Sequence, residues 1–119
     1  MRLLITDNPR EEVSFDIIQM STIEFNNIHN HPFIASTKFD EVVVDLNNKI
    51  RLGYLAPLMK TTKVIPRITT ELDSYGVSIL CEIYRERSAE LRYAFMKDKE
   101  EFNRIINDMK TQYEWERFY

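Results

Sequence analysis

The chain reads as an α+β protein, an antiparallel, twisted β-sheet of roughly five to seven short strands with a C-terminal amphipathic helix packed on one face. Three observations predict it. Val77, Ile79, Cys81 and Ile83 alternate with other residues in the manner of a half-buried strand, and Leu91, Tyr93 and Phe95 repeat that period. Asp98-Lys99-Glu100-Glu101 has the make-up of a helix start, with Asp98 as cap and acids in the first turn. Phe102, Ile105, Ile106 and Met109 then recur at helical spacing.

The upstream elements follow from local chemistry. Arg2 to Thr6 is a short apolar run stopped by Asp7-Asn8-Pro9, either a turn or the opening of a helix through Glu11 and Glu12. Val13 to Gln19 alternates in β-branched and aromatic residues and predicts a strand, with Ile23-Glu24-Phe25 a further alternating piece. Asn26 to Pro32 is a polar loop, and Phe33 to Thr37 a short strand. Glu41 to Leu46 and Lys49 to Tyr54 flank Asn47-Asn48, which suits a hairpin turn because Asn tolerates the left-handed conformation. Val64 to Leu72 resumes an extended composition, and Pro66, lacking an N–H, places that strand at an edge or a bulge. Asp73-Ser74-Tyr75-Gly76 predicts a type I turn into the final hairpin. A competing reading makes the stretch from Leu80 one long helix, since Leu80, Ile83, Tyr84, Leu91, Ala94 and Phe95 also share a helical face.

Composition narrows the class of function. A chain of 119 residues predicts a single domain, 1–119, burying roughly 60 to 70% of its unfolded surface. Apolar residues at 44% and charged residues at 29% are ordinary for a globular protein. A net charge of −3 with pI near 5.4 gives no electrostatic footprint for nucleic acid, yet is too mild for a mimic of DNA. No apolar run approaches the ~20 residues of a membrane span, and the amino-terminal run is too short for a secretory signal, so a cytoplasmic protein is expected. The single cysteine, Cys81, excludes an internal disulfide and a cysteine-based zinc site, and its apolar neighbours predict a buried thiol.

No catalytic motif is present, and no cofactor is implied. With glycine only at positions 53 and 76, there is no nucleophile elbow, phosphate loop or dinucleotide fingerprint. His29 and His31 could face one way in an extended segment, but a zinc site needs a third ligand such as Glu24 or Asp40, so no metal is assigned. The carboxylates Asp40, Glu41 and Asp45 read as a solvated face.

Two functional readings remain. The aromatic tail offers Trp115, Phe118 and Tyr119 as partner contacts, because aromatics anchor interfaces, or else it folds back over the core. The leading expectation is therefore a non-enzymatic binding or inhibitor protein working through a protein–protein interface as a homodimer or higher oligomer. The Asn- and Ile-rich, Gly-poor composition is compatible with a phage or mobile-element accessory factor that counters host defence. The alternative is an oligomer that sequesters or senses a phosphorylated, nucleotide-like ligand at a subunit seam lined by Arg85, Arg87, Arg92, Arg104 and Tyr84.

Overall fold

A computed structural model describes residues 1–8, 15–113 and 115. Its architecture is α/β, built on an all-parallel sheet of four strands in the order β2-β1-β3-β4. The strands are β1 (Arg2–Ile5), β2 (Ile17–Met20), β3 (Glu41–Leu46) and β4 (Lys63–Ile68). Six helices accompany them among the described residues: α1 (Thr22–Phe25), α2 (His31–Ser36), α3 (Leu52–Thr61), α4 (Ser74–Ile83), α5 (Ser88–Lys97) and α6 (Lys99–Gln112). This overturns the expected antiparallel sheet of more numerous strands.

The central strands explain the parallel arrangement. Leu3, Leu4 and Ile5 are all buried, as are Val42, Val43 and Val44, so successive side chains that point to opposite faces are covered on both. Continuous apolar runs of this kind belong to sheets with both faces covered, whereas an antiparallel sheet with one wet face would alternate. Parallel neighbours also cannot be joined by a tight turn. Asn47-Asn48 therefore makes no hairpin; Asn47 Oδ1 accepts from the amide of Lys49 at 2.8 Å, and the chain returns through α3 to start β4. The asparagine signal is one of turning, and turns precede helices as readily as strands.

The same conflict recurs at Ile23 to Phe25 and Phe33 to Thr37, where expected strands are short helices. Ser21 caps α1 reciprocally with Glu24, and Pro32 sits in the first turn of α2, where its missing N–H costs nothing. Of the strand expected at Val13 to Gln19, Ile17–Met20 is β2; residues 13 and 14, like the alternative helix through Glu11 and Glu12, lie outside the described residues. Pro66 does lie in an edge strand.

The expected final hairpin is helical. Asp73 accepts from the amides of Tyr75 and Gly76 as the cap of α4, and Val77, Ile79, Leu80 and Cys81 form a broad buried helical face. β-Branched residues cost a helix only a few tenths of a kcal/mol each. Burying a side chain of that size contributes about 1.5–3 kcal/mol, so packing decides. Nor is there one long rod, because the helical stretch breaks at a short 3-10 turn, Arg85–Arg87, and again at Asp98. Asp98 caps α6 by accepting from the amides of Glu100 and Glu101, and Phe102, Ile105, Ile106 and Met109 are its buried face, as their spacing predicts. Helices α4, α5 and α6 pack in succession.

Gly76 sits at a close approach. A Cβ there would stand 2.6 Å from Asn48 Oδ1 and 2.9 Å from Leu72 Cδ2, so a side chain at 76 would push aside the Asn48 and Leu72 side chains at the start of α4.

Candidate functional site at the carboxyl ends of the strands

Among the described residues the buried polar side chains are Thr6, Thr22 and Asp45, and all three gather at the carboxyl ends of the strands. Thr6 follows β1, Thr22 opens α1 directly after β2, and Asp45 is the penultimate residue of β3. Register pairs Asp45 with Arg67 of β4, so their side chains share a face. Arg67 donates through Nε and Nη2 to the two Asp45 carboxylate oxygens at 2.5 and 2.7 Å. Thr6 Oγ1 donates to Asp45 Oδ2 at 2.6 Å and accepts from the Asn8 amide at 3.0 Å. On the other side, Asp7 accepts from the amide and hydroxyl of Thr22, and Asn47 Nδ2 donates to Thr22 Oγ1 at 2.9 Å.

One network thus ties three strands and α1 together. Among the described residues each buried side-chain polar atom has a partner, which keeps it from costing the ~1–3 kcal/mol of an unsatisfied group. The network's formal charges among the described residues are the carboxylates of Asp7 and Asp45 and the guanidinium of Arg67. Strand order reverses between β1 and β3, and in open parallel sheets ligands bind outside the carboxyl ends at such a reversal.

Sequence reasoning misplaced this region. Asp45, expected on a solvated face, is 5% exposed, and Thr6, Asp7, Asn47 and Arg67 drew no functional reading. The available signal was a charge embedded in the apolar run Val42 to Leu46, together with Thr6-Asp7 at the end of Leu3 to Ile5. A charge is rarely buried unless it is paired, so an Asp inside a covered strand announces a partner.

The residues named from sequence lie elsewhere. Arg85 pairs with Glu82, Arg87 with Glu90 and Gln112, and Arg104 with Glu101, each at helical neighbour spacing apart from Gln112. Arg92 is exposed on α5. Tyr84 lines a cleft of about 470 Å³ with Met59, Ile65 and Tyr113, and none of the four arginines is in that lining. Tyr84 and Tyr113 stack at 4.4 Å between ring centroids. Burial pushes the Tyr84 hydroxyl up to about 12.

Trp115 folds back: it is 1% exposed and its Nε1 donates to Tyr84 Oη at 2.6 Å. Phe118 and Tyr119 lie outside the described residues. His29 is exposed, while His31 meets the Phe25 carbonyl at 2.8 Å and the Tyr54 ring at 4.0 Å. No cluster of metal-ligating side chains occurs among the described residues. Cys81 is buried, and burial raises its thiol above the ordinary range. No described helix is long and apolar enough to cross a membrane.

Comparison with protein-family models, with curated proteins and with solved structures gives no significant match for this chain.

Proposed function

We propose that the protein is a small-molecule-binding domain whose ligand sits over the carboxyl ends of β1 and β3. The observation that carries this reading is the convergence of Thr6, Thr22 and Asp45, the buried polar side chains, on the strand-order reversal. Among the described residues the charge balance there favours hydroxyl and N–H groups over phosphate, since carboxylates accept and Asp7 and Asp45 stand with Arg67. A nucleoside or sugar is therefore the ligand class, in place of the phosphorylated molecule expected at an arginine seam. Binding without catalysis fits the same geometry. Asp45 already takes three donated hydrogen bonds and would have to release Arg67 or Thr6 to act as a base. A cytoplasmic setting accompanies this reading, in keeping with one buried free thiol.

Thermal unfolding against a panel of nucleosides, nucleotides and sugars tests it. A ligand at a hundred times its Kd should raise the midpoint by about 10 °C. Asp7→Asn, which keeps an acceptor for Thr22 but removes the charge, should reduce that rise. A folded protein that no hydroxylated compound stabilises would sink the proposal.

A second reading has its own support. Ile23, Ile28 and Phe33 are 82%, 64% and 49% exposed within the short helical segment between β2 and β3, an unusual local density of large exposed apolar side chains. They would serve the protein–protein interface, homodimeric or with another protein, that the tail does not offer through Trp115. Ile23→Asp with Ile28→Asp should then lower the mass in sedimentation or abolish a complex. Unchanged assembly would remove this reading.

A further inference from the structure

On the sheet face opposite the polar network lies a second concavity. Ile68 follows Arg67 and points the other way, into a cleft of about 370 Å³ between the segment after β4 and helices α5 and α6. Its floor is apolar: Leu72 and Phe102 are buried, and Phe95 meets Phe102 edge to face at 5.4 Å. A neighbouring hollow shares Leu72, Phe95, Glu71 and Lys99 with it. Across the mouth, Lys99 Nζ donates to Glu71 Oε1 at 2.9 Å.

The geometry points to this cleft as a site for a large apolar α-amino acid, its side chain on Leu72, Phe95 and Phe102 and its charged groups between Lys99 and Glu71. Three features carry the assignment. The concavity has the size of a small-ligand pocket, with an apolar floor and a few polar groups at one end. The two rim charges are of opposite sign and, once parted, can take the carboxylate and the ammonium of a zwitterion. The rim pair is also inexpensive to open, because the Lys99 and Glu71 side chains are 71% and 82% exposed, and pairs so exposed hold together weakly. When the pair opens for a zwitterion, each rim charge meets an opposite charge again; a ligand with one charge would leave Glu71 or Lys99 without a partner. Neither residue belongs to the network at β1 and β3, so this site stands or falls separately from that one.

Calorimetric titration of the whole protein with L-phenylalanine tests the assignment, with 3-phenylpropionate, phenethylamine and glycine as comparators. Phenylalanine should bind in the millimolar range or tighter, 3-phenylpropionate and phenethylamine about two- to fivefold more weakly, the effect of losing one exposed charge pair, and glycine at least about tenfold more weakly for want of the apolar group. Lys99→Met should erase the preference over phenethylamine, and Glu71→Gln the preference over 3-phenylpropionate. Both positions are exposed, and circular dichroism checks that the variants fold. No saturable binding of phenylalanine would overturn the proposal. So would equal binding of any comparator, or affinity indifferent to both substitutions.

Discussion

Replacing Arg67 by Met would leave the Asp45 carboxylate inside the sheet with its principal counter-charge gone. The Asp45 side chain is 7% exposed and that of Arg67 22%, so water can reach the guanidinium far better than the carboxylate. Breaking a buried pair from one side costs about 3–5 kcal/mol, most of it the penalty of an uncompensated charge. A domain of this size holds about 5–15 kcal/mol in total, so the loss is a large share of its stability. With a urea dependence of about 1.5 kcal/mol per molar, the unfolding midpoint should fall by about 2–3 M. Asp45→Leu combined with Arg67→Met should recover at least half of that, because an apolar pair carries no desolvation penalty. Equilibrium urea unfolding followed by circular dichroism measures both. If Arg67→Met shifts stability by less than about 1 kcal/mol, Asp45 is solvated and the buried network described above does not exist.

Two further outcomes test the packing of the carboxyl-terminal helices. Trp115→Ala should cost about 3–5 kcal/mol, the range for truncating a buried aromatic, and a variant as stable as the parent would show that Trp115 does not occupy the core. Stability should also fall as pH rises from about 10 to 12. The folded-state pKa of Tyr84 lies above its ordinary value, so the folded state retains a proton that the unfolded state has lost. Its contribution is complete below pH 10 and disappears through 12; Tyr84→Phe should flatten that limb, and an unchanged alkaline limb in the variant would assign it to other groups.

Local chemistry was legible where it is local. The Asp98 cap and the stripe Phe102, Ile105, Ile106 and Met109 are decided within a few residues by hydrogen bonds to the first-turn amides and by helical period. The strand at Glu41–Leu46, the edge position implied by Pro66 and the burial of Cys81 were also readable. Strand direction was not. Val42 to Val44 state that both faces are covered, but Asn47-Asn48 states only that the chain turns, and of the returning strand expected at Lys49 to Tyr54 the residues from Leu52 onward open helix α3. Val77 to Ile83 fits either period, since an apolar run covered on most sides has no wet face to mark its repeat.

The candidate site was less legible still. Thr6, Thr22, Asp45 and Arg67 are spread over some sixty positions of chain, and no spacing links them. They meet because parallel pairing sets β1 beside both β2 and β3 and aligns Asp45 with Arg67. From sequence alone came the Asp98 cap with the apolar stripe that follows it, the apolar character of the covered runs and the burial of the one thiol, since those depend on neighbours within a turn. Only the tertiary structure decided the direction of the strands, the pairing of Asp45 and the inward place of Trp115. Each of these is a contact between distant segments, and its free energy exists only once the sheet has brought them together.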